Sequence, residues 1–172
     1  FAHTRRKNLL LRDLDELVNQ QLSKMLFANP RRIDYYDRYQ EIIDAYNAEQ
    51  NRATIEKTFM DLMELASSLD TEQQRYVREG FSSDEELSVY DLLFSENLTK
   101  QEIETIKKVS VDLLTKIKQQ IAKLDHWTDK QETKAIVDNL IRNTLWQELP
   151  NSYDVSDIQT YQKKIYEYVY MR

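Results

Sequence analysis

The sequence predicts an all-α protein, an irregular bundle of seven to eight amphipathic helices with no sheet. Apolar residues recur at three- and four-residue intervals almost throughout the 172 residues, which is the period of one helix face. One glycine and two prolines are too few for the tight turns of a sheet-rich protein. Ser or Thr followed three positions later by Glu or Gln recurs before apolar runs, as in capping boxes that start helices.

Stripes of apolar residues predict the first three helices, over about 4–28, 33–49 and 53–69. The first stripe consists of Leu10, Leu14, Leu17, Val18, Leu22, Met25 and Leu26. It ends before Pro30, because proline keeps the preceding residue out of the helical region. The second stripe consists of Tyr36, Tyr39, Ile43 and Tyr46. The third consists of Ile55, Phe59, Leu62, Met63, Ala66 and Leu69.

Capping boxes predict the later helices, over about 71–79, 83–95, 99–123, 128–148 and 156–170. The pairs are Thr71/Gln74, Ser83/Glu86, Thr99/Glu102, Thr128/Gln131 and Ser156/Gln159. Gly80 falls where a left-handed residue would end the helix over 71–79. We expect a helical domain over 1–98 and a C-terminal helical subdomain over 99–172, or one continuous domain. Because the chain begins with Phe1, we also expect it to be part of a longer polypeptide.

The composition excludes several classes of catalytic site. One glycine cannot supply a dinucleotide-binding loop, a P-loop or a nucleophile elbow. There is no cysteine, and the two histidines, His3 and His126, lie far apart in the sequence, which disfavours metal sites and nucleophile–histidine relays. No apolar run approaches the ~20 residues that span a bilayer. The sequence therefore predicts no catalytic, cofactor-binding or metal-binding residues.

Two short clusters have a structural and a functional interpretation. Asp84 and Glu85 begin an acidic triplet whose carboxylates suit a helix N-terminus, which we favour over acid–base or metal chemistry. A relay through Asp125 and His126 lacks a nucleophile, so we favour a corner between helices with Trp127 in the core.

The net charge of −6 is unevenly distributed. Segment 1–32 carries +4, 33–98 carries −11, 99–134 carries +2 and 135–172 carries −1. Solvated helix faces are the simplest explanation. The alternative is an acidic patch that meets a basic partner. The basic residues Arg5, Arg6, Lys7, Arg31 and Arg32 are candidate phosphate contacts, although the overall acidity argues against strong nucleic-acid binding by the isolated chain.

Several short motifs occur in an order that resembles one family. They are NPRRID at 29–34, IIDAYN at 42–47, FMDLMELA at 59–66, EELSVYDLL at 85–93, and a tail of WTDK at 127–130, TKA at 133–135, LW at 145–146 and LP at 149–150. This order resembles the C-terminal helical region of the R (restriction and motor) subunit of type I restriction–modification enzymes.

The resemblance implies a non-catalytic part of an ATP-dependent, DNA-translocating site-specific deoxyribonuclease. In that family other domains of the subunit bind ATP and Mg and perform the cleavage. The implied partners are the M and S methyltransferase subunits and the upstream helicase domains of the same subunit, with DNA contacted weakly or indirectly. No membrane is implied, and the location is the cytoplasm of a bacterium or archaeon.

We expect an assembly module that docks the translocase and nuclease onto the methyltransferase core. The candidate interface residues are Trp127, Trp146, Tyr153, Asp84 and Glu85. A helical element that contacts DNA and guides duplex to the motor is the alternative, and a purely structural bundle is a third possibility.

Overall fold

Two compact helical units make up the chain. The computed structural model describes residues 2–172, with side chains from Arg5 onward; unit 1 ends at Gly80 and unit 2 begins at Phe81. Over the described residues there are eight α-helices, two short 3-10 turns and no strand, so the predicted all-α class is confirmed. The boundary predicted after residue 98 falls inside unit 2.

Unit 1 contains α1 (Ala2–Ala28), a 3-10 turn (Pro30–Arg32), α2 (Ile33–Ala48), α3 (Arg52–Gln73) and the single turn α4 (Arg75–Arg78). Helix α3 packs against both α1 and α2. The core consists of Leu11, Val18, Leu22, Met25, Tyr39, Ile42, Ile55, Leu62, Leu65 and Leu69.

Helices α1 and α3 run parallel. Lys7 Nζ lies 2.8 Å from Glu56 Oε1, and Gln21 Nε2 donates to Asp70 Oδ1 at 2.9 Å. Both contacts join residues 49 positions apart, so the two helices keep one register over four turns.

All three predicted stripes of unit 1 include residues outside the core, and in the second stripe this residue is Tyr36. Leu10 and Leu17 of the first stripe and Phe59 and Met63 of the third are exposed. These residues lie outside the core, which uses only the adjacent positions of each helix.

The predicted helix ends in unit 1 are partly correct. The break before Pro30 is present, and Asn29 Oδ1 accepts a hydrogen bond from the Arg31 amide at 3.1 Å. The start predicted at Thr71 is wrong, because α3 continues to Gln73 and the Thr71 hydroxyl donates to the Ser67 carbonyl at 3.1 Å. Gly80 has a φ of 86°, the left-handed conformation predicted for it.

Unit 2 contains α5 (Asp84–Leu93), α6 (Lys100–Ala122), a 3-10 turn (Trp127–Asp129), α7 (Gln131–Glu148) and α8 (Val155–Tyr170). Helices α5 and α7 each pack against α6 and α8. The largest fully buried side chains in this unit are Leu87, Leu93, Ile106, Leu113, Ile117, Ile141, Leu145 and Ile165.

The predicted capping pairs differ in outcome. Thr99 and Glu102 form a complete capping box, whereas Thr128 lies inside the 3-10 turn and α7 begins at Gln131 without a side-chain cap. Helix α8 is capped by Asp154 instead of Ser156. At α5, Ser83 caps as predicted, but Glu86 accepts from the amide of Ser82, one residue earlier than expected.

Replacing Thr99 with alanine should lower the free energy of unfolding by about 1 kcal/mol, because the Glu102 amide loses its acceptor. Thr128→Ala serves as the matched control and should change it by less than about 0.5 kcal/mol. Urea denaturation followed by circular dichroism measures both. Equal losses in the two variants would contradict the assignment of Thr99 as the cap.

Candidate protein-docking surfaces

Trp127 is part of the core of unit 2. It lies in the turn before α7 and is 9% exposed. Its ring makes edge-to-face contacts with Tyr166 and Tyr170, with centroids 6.1 and 5.9 Å away. His126 and Asp125, just before it, are exposed. Trp127 therefore fastens the turn to α8, as expected for a corner between helices, and offers little surface to a partner.

Tyr153 is also buried and joins two segments of unit 2. Its hydroxyl donates to the carbonyl of Leu93, the last residue of α5, at 2.5 Å, and its ring lies 5.4 Å from that of Tyr161. Burial raises the pKa of Tyr153 above its ordinary value. The side chain thus ties the loop after α7 to the end of α5.

Trp146 differs from these two residues because it is 58% exposed. It belongs to an outward-facing surface of α7 whose members are all exposed. We call this surface the α7 outer face; it consists of Ala135, Ile136, Asn139, Arg142, Asn143 and Trp146. Arg142 is its one charged residue, and the exposed Glu132, one turn before Ala135 and Ile136, bounds it at the N-terminal end.

The opposite side of α7 is fixed to the core. Val137, Ile141 and Leu145 are fully buried. At the C-terminal end, Lys116 Nζ of α6 lies 3.1 Å from Glu148 Oε2 and 2.9 Å from Asp112 Oδ2. Hydrogen bonds to these two carboxylates raise the pKa of Lys116, and burial raises that of Glu148. The α7 outer face is therefore carried by a helix anchored along its length.

Asp84 and Glu85 occupy the first turn of α5, where Ser83 caps the helix. Glu85 Oε2 lies 3.1 Å from Lys118 Nζ of α6, and both side chains are more than half exposed. The favourable interaction of carboxylates with a helix N-terminus accounts for their position. They lie on a different helix from Trp146, and the structure does not gather the five candidate interface residues into one cluster.

The acidic segment 33–98 is divided between the two units. Within unit 1 its most regular feature is on α2, where four exposed carboxylates recur at three- and four-residue spacing. We call it the α2 acidic stripe; it consists of Asp34, Asp37, Glu41 and Asp44. This stripe gives unit 1 an acidic edge of the kind that meets basic partners.

The candidate phosphate contacts differ in exposure and in ion pairing. Arg5, Arg6 and Arg31 are exposed, while Lys7 is ion-paired with Glu56. Arg32 is only 2% exposed; it donates to the carbonyl of Met25 at 3.2 Å and lies 3.6 Å from Glu72 Oε2.

The two basic clusters stand at opposite ends of α1, which separates them by about 36 Å at 1.5 Å per residue. They do not form one patch, and Arg32 cannot present its guanidinium to a ligand in this arrangement.

Among the residues that the structure describes, no group of three or more side chains is arranged to hold a metal ion. Over the same residues, no helix combines the length and the apolar character needed to cross a membrane.

Comparison with known families assigns the chain. A family model described as "Type I restriction enzyme HindI endonuclease subunit-like, C-terminal" matches residues 1–171. The chain belongs to this family. No curated protein and no solved structure matches it. The resemblance inferred from the ordered motifs is thereby confirmed.

The match to the type I restriction endonuclease C-terminal family covers all eight helices. Both units therefore belong to one family region. Of the candidate interface residues inferred from the sequence, Trp146 lies on the α7 outer face; Ile136, Asn139, Arg142 and Asn143 were not among those candidates. The signal available in the sequence was that Arg142 is the one charged residue among the exposed positions of α7 after Glu132.

Proposed function

We propose that this chain is a non-catalytic assembly module that docks the restriction endonuclease subunit onto the methyltransferase core of M and S subunits. Its family membership supports a place in the C-terminal region of such a subunit. On this proposal ATP and Mg bind to other domains of the parent subunit, which carry out translocation and cleavage. The complex would act in the cytoplasm of a bacterium or archaeon.

The α7 outer face is the observation that carries the proposal. The centres of protein interfaces are poor in charge and enriched in Trp and Arg, and Trp and Arg are over-represented among residues that dominate binding energy. This face combines Trp146 and Arg142 with Ile136 and two asparagines, and the exposed carboxylate of Glu132 lies at its N-terminal end. A water-exposed indole here contributes little to the core, so its burial against a partner is available as binding energy.

Charged residues elsewhere suit the rim of such an interface. Rim charges steer association and set its salt dependence more than they set affinity. The α2 acidic stripe and the pair Asp84 and Glu85 are exposed or half-exposed carboxylates of this kind. Basic surfaces on the methyltransferase subunits are their proposed counterparts.

Replacing Trp146 with alanine should weaken binding of the 172-residue chain to the purified methyltransferase core by roughly 30-fold, or about 2 kcal/mol. Isothermal titration calorimetry measures the affinity. Val77→Ala is the matched control, since Val77 is a large exposed apolar residue of α4 and does not belong to α7, and it should bind like the unmodified chain.

Reversing both charges with Asp84→Lys and Glu85→Lys should lower the rate of association with the methyltransferase core and reduce the dependence of that rate on salt.

The outcomes that would contradict the two predictions are separate. Unaltered affinity in Trp146→Ala would remove the α7 outer face from the interface. Unaltered rates in the charge-reversed chain would remove Asp84 and Glu85.

The exposed guanidinium groups of Arg5, Arg6 and Arg31 support the alternative role of contacting DNA. Because they stand at the two ends of α1, one duplex would have to lie along that helix to meet both. Phosphate contact gives binding that weakens steeply as salt is raised. A salt titration with duplex DNA therefore separates the two functions: binding that persists at low salt and disappears on reversal of Arg5 and Arg6 would favour DNA contact.

A further inference from the structure

Unit 1 leaves one side of its α1/α3 pair uncovered by any other helix of the unit. The exposed residues of the first and third predicted stripes all lie there. We call this surface the α1/α3 open face; it consists of Leu10, Leu14, Leu17, Phe59, Met63 and Ala66. Leu17 is 65% exposed and Met63 is 52% exposed, whereas Leu14 and Ala66 are partly buried against the core.

The parallel register arranges this face in layers. Because residues 49 apart are neighbours, Leu10 lies level with Phe59, Leu14 with Met63 and Leu17 with Ala66. The contact of Lys7 with Glu56 bounds the face at one end, and that of Gln21 with Asp70 bounds it at the other. A groove of about 380 Å³ between the helices includes Leu10, Phe59 and the exposed Met60. Contiguous apolar surface of this kind marks an interaction site.

The two edges of the face differ in charge. The edge formed by α1 carries Arg6 and Lys24 against one acid, Asp13, while Lys7 is already paired with Glu56. The edge formed by α3 carries Glu56 and Asp70 against one cation, Arg52, which lies beyond the last apolar layer and 3.3 Å from Glu56. The α1 edge is thus net basic, and the net acidic charge of the α3 edge comes from Asp70, which is hydrogen-bonded to the neutral Gln21.

This distribution makes the surface complementary to itself. A second copy related by a two-fold axis parallel to the helices sets the basic α1 edge of each copy against the acidic α3 edge of the other. A two-fold axis across the helices would instead set Arg6 near the second Lys24 and Glu56 near the second Asp70, which like-charge repulsion disfavours. A two-fold interface uses the same patch on both copies, so the favourable contact between an α1 edge and an α3 edge occurs twice.

We propose that a second copy of this chain covers the α1/α3 open face, giving a two-fold dimer of unit 1 in which all four helices run parallel. The apolar layers form its centre, and the contacts between the α1 and α3 edges fix the parallel orientation. This association is separate from docking onto the methyltransferase through α7.

Sedimentation equilibrium of the 172-residue chain, from low-micromolar to millimolar concentration, should show a reversible transition from 20.7 kDa to twice that mass. Met63→Glu places a carboxylate in the central layer and should weaken self-association roughly tenfold or more. Val77→Glu, at an exposed apolar residue of α4 outside the face, should leave it unchanged. Circular dichroism confirms that both variants fold.

A second pair of variants tests the edges. Arg6→Glu combined with Lys24→Glu should weaken the dimer, because both contacts between an α1 edge and an α3 edge then bring acid against acid. Arg5→Glu combined with Arg12→Glu reverses the same number of charges on α1. These two arginines line a different groove, beside Ile43 and Tyr46 of α2, so this control should self-associate normally.

Introduced cysteines report the orientation, since the chain has none of its own. Chains with Leu17→Cys mixed with chains with Ala66→Cys should form a disulfide-linked pair on oxidation. Chains with Leu10→Cys mixed with chains with Leu17→Cys should not, and preferential linkage in that mixture would overturn the parallel arrangement.

A chain that stays monomeric at millimolar concentration overturns the proposal, as does a dimer unaffected by Met63→Glu. A monomer in which Met63→Glu abolishes methyltransferase binding assigns the face to that partner and also overturns it. The methyltransferase titration of Trp146→Ala is independent of these results, so each proposal fails or stands separately.

Discussion

Replacing Trp127 with alanine should lower the free energy of unfolding by about 3–5 kcal/mol. The indole is almost fully buried and makes edge-to-face contacts with Tyr166 and Tyr170. Its removal deletes apolar burial and leaves a cavity between the turn before α7 and the C-terminal part of α8. Guanidinium denaturation, followed by far-ultraviolet circular dichroism, measures the loss.

Trp146→Ala provides the comparison, because it is the same substitution of the chain's other tryptophan. Because the indole of Trp146 is 58% exposed, its removal should change the free energy of unfolding by less than about 0.5 kcal/mol. The two substitutions should therefore have different effects: Trp127→Ala should lower stability, and Trp146→Ala should weaken binding of the methyltransferase. Similar stability losses in the two variants would contradict the assignment of Trp127 to the core and Trp146 to a docking surface.

The fold class and the position of most helices could be predicted because their signals are local. The break at Asn29 follows from the geometry of the residue before a proline, and the left-handed Gly80 follows from its lack of a side chain. Thr99 and Glu102 interact within one helical turn. Each of these features depends on residues close in sequence.

The sequence-based predictions fail where contacts between residues far apart in the sequence determine the structure. Thr71 has the sequence of a cap, but Leu69 and Glu72 continue the buried face of α3 past it, so the helix does not stop. Which of two tryptophans is exposed depends on whether α8 packs over it, and no local pattern encodes that contact. The excess width of the first and third stripes was visible in the sequence, but only the register of α1 on α3 shows that the surplus residues share one face.

Arg31 and Arg32 illustrate the same limit, since adjacent arginines have opposite environments. Arg31 is exposed, whereas Arg32 is buried and reaches Glu72 on α3. Glu72 is buried as well, and its two carboxylate oxygens share the single Nε–H of Arg75, at 2.5 and 3.0 Å. The sequence suggested phosphate contact for both arginines; burial makes Arg32 a structural link between the α1–α2 connection and the end of α3.

Arg32→Ala should lower the free energy of unfolding by about 2–4 kcal/mol, because the buried Glu72 keeps its closer partner Arg75 but loses a buried cation, and the packing of the Arg32 side chain is lost. The carbonyl of Met25 also loses a donor. Arg31→Ala is the matched control and should change stability by less than about 0.5 kcal/mol. Urea denaturation of both variants gives the comparison.

The double replacement Arg32→Met with Glu72→Met tests whether the cost comes from the lost contact between Arg32 and the buried charge of Glu72. Both charges then leave the interior together, and apolar side chains of similar length fill the space. Such replacements are often neutral or stabilising, and Arg75, about a quarter of whose side chain is exposed, can turn to water. The double variant should therefore recover most of the stability lost in Arg32→Ala. The single variants Arg32→Met and Glu72→Met are measured alongside. If the double variant loses as much stability as the two single variants together, Arg32 acts through its packing and its bond to Met25, independently of Glu72.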